Sequence, residues 1–232
     1  MPYVVTHDLS TDPIIRRLDH VICRVPDIER FHRHFIDVLG FSEAWPIGKF
    51  WPSGNTSGVA IGGINLEFVE EPGIEPYVST FVFEPRSIDD ASSAFAAKLE
   101  VKTRVFEKIE SDPVLLRLRG FSEEESKTPQ IICRNLMLES EFPIDMFLCE
   151  YSSHLKERLA PIQFPKPYGR VWRIELELPK PGDIWKLHNV TFGGNIEFYQ
   201  SELQFGPCRI TGIMMENGPV DLKGIDPGFR FI

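Results

Sequence analysis

A chain of 232 residues is long enough to bury a full core, as one large domain or two smaller ones sharing an interface. Its formal net charge of −9, with 34 acidic against 25 basic residues and no Lys/Arg-rich run, argues against a nucleic-acid surface, which needs a basic patch. The four cysteines (Cys23, Cys133, Cys149, Cys208) form no CxxC pair, and no apolar run approaches the ~20 residues of a membrane span, so the expectation is a soluble cytoplasmic protein with reduced thiols.

Residues 1–16 read as an N-terminal arm, mobile or added as a strand to a neighbour. Leu18-Asp-His-Val-Ile-Cys-Arg-Val25 is rich in β-branched residues and predicts a strand that Pro26-Asp27 ends. Asp27 suits a helix N-cap, and Ile28, Phe31, Phe35, Val38 and Leu39 fall on one apolar stripe closed by Gly40. Strands are expected at 41–45, 58–62 and 64–69. The pattern then restarts: a strand at 77–83, a helix from Ile88 to about Leu99 capped by Ser87, and strands near 104–109, 131–139 and 144–151. Ser122–Lys127 reads as an exposed charged loop, and Pro161–Tyr168, with three prolines, as a linker. A shorter third round follows, with strands at 169–178, 195–199 and 208–215, a short helix at 183–189 and an irregular tail from Lys223. The recurrence is one of pattern, not of residues. It divides the chain into an arm (1–16), a first module (17–75), a second (76–160) and a linker with a third partial module (161–232).

Alternate side chains of a strand share a face. Val21, Cys23 and Val25 therefore oppose His20, Ile22 and Arg24, while Ile64, Leu66 and Phe68 oppose Asn65, Glu67 and Val69. The wholly apolar sets should pack on the first helix, which sends His20, Arg24, Asn65 and Glu67 to the opposite, concave face. A histidine and a carboxylate there suit a divalent metal or a general acid/base pair. Arg24 is suited to bind a carboxylate or phosphate, or to pair with Glu67. His32 and His34 lie at the edges of the helix stripe and are expected on the surface; His154 is placed to reach the rim. Trp45, Phe50, Trp51 and Phe68 could form apolar walls or core.

Leu18-Asp-His-Val…Val25-Pro-Asp-Ile…Phe35…Leu39-Gly-Phe41, ending in Leu66-Glu-Phe-Val69, resembles the opening module of the vicinal-oxygen-chelate superfamily, which includes glyoxalase I, bleomycin-resistance proteins and extradiol dioxygenases. Gly54-Asn-Thr-Ser-Gly through Glu67, and Phe147-Leu-Cys-Glu-Tyr151 with His154, are similar to its glyoxalase-like domain branch. The resemblance implies an α+β fold: paired βαβββ modules forming a curled, cup-like mixed sheet with helices outside, plus a shorter third βαβ-type round.

It further implies a divalent metal held by the first and last strands of each module, with His20 and Glu67 from the first and Glu150 from the second. At the remaining position the chain offers Ser79 and Thr80, which are poor ligands. The two-His-one-carboxylate set of ferrous oxygenases is not matched, so ring cleavage is not expected. The metal could be Zn, Mn, Ni, Fe or Mg. The implied function is a metal-dependent isomerase, lyase or related enolate enzyme acting on a small oxygenated metabolite. Glu67 or Glu150 would move the proton, and Arg24 and Asn65 would hold the substrate. The alternative is a metal-free binding or sequestering protein. A monomer would complete the cup; a homodimer is equally compatible.

Overall fold

The computed structural model describes residues 3–6, 14–51, 54–61, 64–99, 102–139, 145–159, 171–177, 209–215 and 229–231. Its elements are β1 (Tyr3–Thr6), β2 (Ile15–Val25), α1 (Ile28–Arg33), β3 (Ser42–Trp51), β4 (Gly54–Ala60), β5 (Asn65–Glu70), β6 (Tyr77–Pro85), α2 (Ile88–Leu99), β7 (Lys102–Glu110), α3 (Pro113–Leu118), β8 (Gln130–Glu139), β9 (Asp145–Tyr151), α4 (Ser153–Leu159), β10 (Val171–Glu177), β11 (Arg209–Met215) and β12 (Phe229–Phe231).

Eight strands form one sheet in the order β3-β4-β5-β2-β6-β9-β8-β7. Each half runs strand, helix, three strands, with its first and last strands parallel (β2 with β5, β6 with β9) and the other pairs antiparallel. The two first strands, β2 and β6, pair antiparallel at the centre, which relates the halves by an approximate twofold. This is the α+β curled mixed sheet that the family resemblance implies. A second sheet has the order β1-β10-β11-β12. The N-terminal strand thus adds to its own chain, Tyr3 opposite Leu176, rather than to a neighbour. The tail expected to be irregular contains β12, parallel to β11. The third-round helix at 183–189, the strand at 195–199 and the linker at 161–168 lie outside the described residues.

The outer face of the sheet carries the main core. Val21, Cys23 and Val25 of β2 and Leu66 and Phe68 of β5 pack with Ile28, Phe31 and Phe35 of the first helix, as strand parity requires. Phe35 meets Phe68 at 5.3 Å between ring centres and Phe41 at 6.0 Å. Asp27 caps α1 by accepting from Arg30 N at 3.0 Å. One expectation fails here: Val38 is 69% exposed. After Arg33 the helix widens into a π-turn, His34–Val38, with Leu39 N donating to His34 O at 3.0 Å. The wider turn rotates Val38 off the stripe while Phe35 and Leu39 stay buried.

Two helices were not expected. α3 begins with Asp112 accepting from Val114 N at 2.7 Å and Pro113 in its first turn, a start signal followed by the short apolar run Val-Leu-Leu. With α4 it lies on the concave side, not outside. Leu116 and Leu155 join Val82, Ile132, Phe147 and Cys149 in a second buried cluster there. The segment 122–127 holds a 3₁₀ turn in which Ser126 is buried, its hydroxyl donating to Ser122 O at 2.7 Å.

The β3–β4 hairpin is longer than the Pro/Gly-rich sequence suggests, because register shifts around Trp45 and Gly48 absorb Pro46 on an edge strand. Trp45 lies opposite Gly58, where a Cβ would overlap the indole ring. Gly58→Ala is expected to destabilise the fold by roughly 1–3 kcal/mol through this overlap. Trp45 fluorescence should shift in the folded variant, and an unchanged denaturation midpoint would refute the overlap.

Candidate functional site

On the concave face the sheet, α3 and α4 line a pocket that opens to solvent. His20 and Glu67 lie on its floor, both buried, with Nε2 of the histidine 3.4 Å from Oε2 of the carboxylate. They come from adjacent parallel strands; His20 is registered with Asn65, two residues before Glu67. The apolar wall includes Trp45, Leu118, Ile132, Phe147 and Leu155, and Phe147 meets the His20 ring edge-on at 6.3 Å.

The other imidazole nitrogen, Nδ1, lies 2.7 Å from Asp19 Oδ2. Neighbours in a regular strand point to opposite faces, so this contact needs an irregularity. Leu18 pairs with Phe83 and His20 with Val82, which makes Asp19 the extra residue of a bulge. Asp19 is fixed further by Arg17 Nη2 at 3.2 Å and by the Tyr151 hydroxyl, which donates to Oδ2 at 2.9 Å. Arg17 is in turn held by Glu84, whose Oε2 accepts from Nε at 2.6 Å.

These contacts set the charges. Burial alone would lower the His20 pKa, but the hydrogen bonds and charges of Asp19 and Glu67 raise it from 6.5 to about 9. Asp19 is disfavoured by burial too, yet its bonds to His20 and the Arg17 charge hold it below the ordinary carboxylate range. Burial and the Asp19 charge push the Tyr151 phenol well up. This favours the imidazolium form of His20, set between the side chains of Asp19 and Glu67.

The other expected site residues lie elsewhere. Arg24 Nη1 is 3.6 Å from Glu71, not Glu67, and does not line the pocket. Asn65 is buried opposite His20 in register, also outside the lining. Glu150 faces away from the pocket: its Oε2 lies 3.6 Å from Arg134, whose guanidinium holds Asp89 of α2. Phe147, Cys149 and Tyr151 are the β9 residues that point inward, so the sequence-based register was off by one. His32 is buried with Nε2 2.9 Å from Glu43 rather than on the surface, and His154 stacks on Phe121 at 4.2 Å. Of the suggested aromatic walls, Trp45 lines the pocket and Phe68 is core; the Phe50 and Trp51 side chains lie outside the described residues. Asp19, Tyr151, Lys108 and Arg119 are the functional candidates the sequence did not single out.

The twofold tests whether a divalent metal fits. His20 pairs in parallel register with Asn65, and Thr80 with Asp145; two residues beyond these partners stand Glu67 and Phe147. The second half thus contributes Thr80 and Phe147 where the first contributes His20 and Glu67. Thr80 is engaged with Ser79, and a phenyl ring donates nothing. Among the described residues no three His, Cys, Asp or Glu side chains converge on one point. Two donors, His20 and Glu67, fall short of the three or four protein ligands that a resident divalent ion takes.

No family model and no curated protein matches the sequence. Solved structures do. A variant of homoprotocatechuate 2,3-dioxygenase from B. fuscum matches with a TM-score of 0.50 at 15% identity, over 88% of this chain and 57% of that one. The Arthrobacter globiformis enzyme gives 0.48 at 16% identity, over 88% and 64%. Methylmalonyl-CoA epimerase from Mycobacterium tuberculosis gives 0.41 at 15%, over 66% and 96%. The chain has the vicinal-oxygen-chelate fold. It spans 57% of the length of the B. fuscum dioxygenase chain, and at this identity the likeness is one of fold. No helix among the described residues is long and apolar enough to cross a membrane.

Proposed function

We propose that the chain is an enzyme that moves a proton on a small oxygenated metabolite, with Glu67 as base and His20 as the cationic hydrogen-bond donor. One observation carries this reading: a histidine clamped between the Asp19 and Glu67 side chains at the floor of a largely apolar pocket. The Glu67 carboxylate takes a proton from the carbon beside a carbonyl. The C–H electron pair moves into the carbonyl, and the Nε2–H of His20 donates to the resulting enolate oxygen. Asp19 keeps the ring oriented and charged, as a fixed partner on Nδ1 does in acid–base sites. Delivery of the proton to the opposite face, or to another carbon of the enolate system, gives isomerisation; loss of a neighbouring leaving group gives a lyase reaction. Because one chain supplies both halves of the sheet, a monomer suffices.

The test is hydrogen exchange. The protein is incubated in D₂O with a panel of small 2-oxo and 3-oxo acids, and deuterium entry at carbon is followed by NMR. Catalysed exchange with at least one of them is expected. Binding without exchange anywhere in the panel would favour the second reading, a metal-free binding protein, which the apolar wall of Trp45, Ile132, Phe147 and Leu155 also supports.

The donor count makes a further prediction. Protein purified without a histidine tag is expected to hold well under one equivalent of any divalent ion by mass spectrometry. Stoichiometric metal, lost in both His20→Ala and Glu67→Ala, would instead identify a metal centre.

A further inference from the structure

The pocket carries two cations that proton transfer at His20 does not use. Lys108 and Arg119 both line it, half-buried, from different elements: Lys108 on the edge strand β7, Arg119 at the C-terminal end of α3. Pairing fixes their place. Lys108 lies opposite Cys133, and Cys133 opposite Tyr151, so the three form a row across β7, β8 and β9. Tyr151 then reaches Asp19, beside His20. Lys108 therefore stands two strand spacings, about 10 Å, from Tyr151 at the other end of the row.

Among the lining residues His20, Lys108 and Arg119 are bases and Glu67 is an acid, and the Glu110 charge acts on Lys108 and Arg119 from beside the pocket. A lining richer in bases than in acids stands out in a chain of formal charge −9. The two cations also feel each other: burial first, then the Arg119 charge, pulls the Lys108 ammonium down. The Cys133 thiol is held below its ordinary value by a hydrogen bond with Cys149 and, more weakly, by the charges of Lys108, Arg119 and His20. An oxyanion of a ligand at this wall would meet both cations.

We infer that Lys108 and Arg119 form an oxyanion-recognition subsite, so that the ligand is a small organic anion whose charged group sits at the β7–α3 wall while its far end reaches His20 and Glu67. This rests on the reading of the pocket as the active site and adds the substrate class. Arg119 supplies a planar fork and Lys108 a point charge, a combination suited to a carboxylate or a phosphate ester. The apolar wall then holds the body of the molecule.

Benzoate, phenyl phosphate and the neutral isostere benzamide test this by calorimetry on the full chain at low salt. Benzoate or phenyl phosphate is expected to bind at least tenfold more tightly than benzamide, and whichever is tighter names the oxyanion. In Lys108→Met/Arg119→Gln that anion should weaken by roughly tenfold to a hundredfold, while benzamide binding stays unchanged. Circular dichroism checks that the double variant is folded. Should it not fold, the single variants and added salt, which must weaken the anion and not benzamide, decide the same point. Anions that bind no better than benzamide, or that ignore both substitutions, overturn the inference. The outcome is separable from that of the active-site reading. Charge-dependent binding without hydrogen exchange would leave this subsite standing and remove the catalysis. Exchange of neutral and anionic ketones alike in the double variant would do the reverse.

Discussion

Glu67→Gln is expected to slow deuterium entry into a bound oxo acid by roughly 10²–10⁴-fold, the range for removing a positioned general base. The amide nearly matches the carboxylate in shape, so the buried site keeps its packing and binding of the same compound should change little. His20→Gln removes the cationic donor that meets the enolate oxygen, a loss on the order of 10²–10³ in rate. Because the two side chains lie 3.4 Å apart and act on one transition state, the double variant should be scarcely slower than the worse single one. Strictly multiplicative losses would mean that the residues act on separate steps. Exchange that survives Glu67→Gln would move the base elsewhere, Cys133 being one alternative on the pocket wall.

What the sequence revealed of the site follows from where strand alternation carries information. On β2 and β5 the apolar sets Val21/Cys23/Val25 and Leu66/Phe68 are unambiguous, so alternation assigns His20, Arg24, Asn65 and Glu67 to the concave face, of which His20 and Glu67 line the pocket and Arg24 and Asn65 do not. On β9 the run Met146–Cys149 is buried on both faces, which leaves no phase to read. Glu150 and Tyr151 were then interchangeable by sequence, and the acidic residue was the wrong one of the two to face inward. Asp19 was excluded by the same alternation that selected His20. Only the bulge against Phe83 and Val82 brings neighbours to one side, and nothing in Leu-Asp-His-Val marks it. Lys108 and Arg119 converge through tertiary structure alone: one alternates along an edge strand rich in charges, the other follows a six-residue helix marked in the sequence only by its Asp112-Pro113 start. The fold was the easier part, since a strand–helix–three-strand pattern that occurs twice constrains topology strongly.

The charge state of His20 has a consequence for stability with a definite sign. Its native pKa of about 9 exceeds the ordinary 6.5, so the native state holds this proton more tightly than the unfolded chain does. The stabilisation is therefore complete below about pH 6.5 and is lost as the pH rises through about 9, on the order of 3 kcal/mol in all. Cys133 and Lys108, both held below their ordinary values, act in the opposite direction over the alkaline part of this range. The informative quantity is thus the difference between wild type and Asp19→Asn, in which those groups remain. Without that carboxylate only Glu67 remains to raise the imidazole against its burial, and the His20 contribution to the slope between pH 6.5 and 9 should shrink. Urea denaturation at four pH values across that window, with an NMR titration of the His20 ring, measures both. Parallel stability curves for the two proteins, or a wild-type imidazole that titrates near 6.5, would mean that His20 is neutral at physiological pH. The enolate would then lack its cationic partner, and Glu67 would stand alone as the reactive group on the pocket floor.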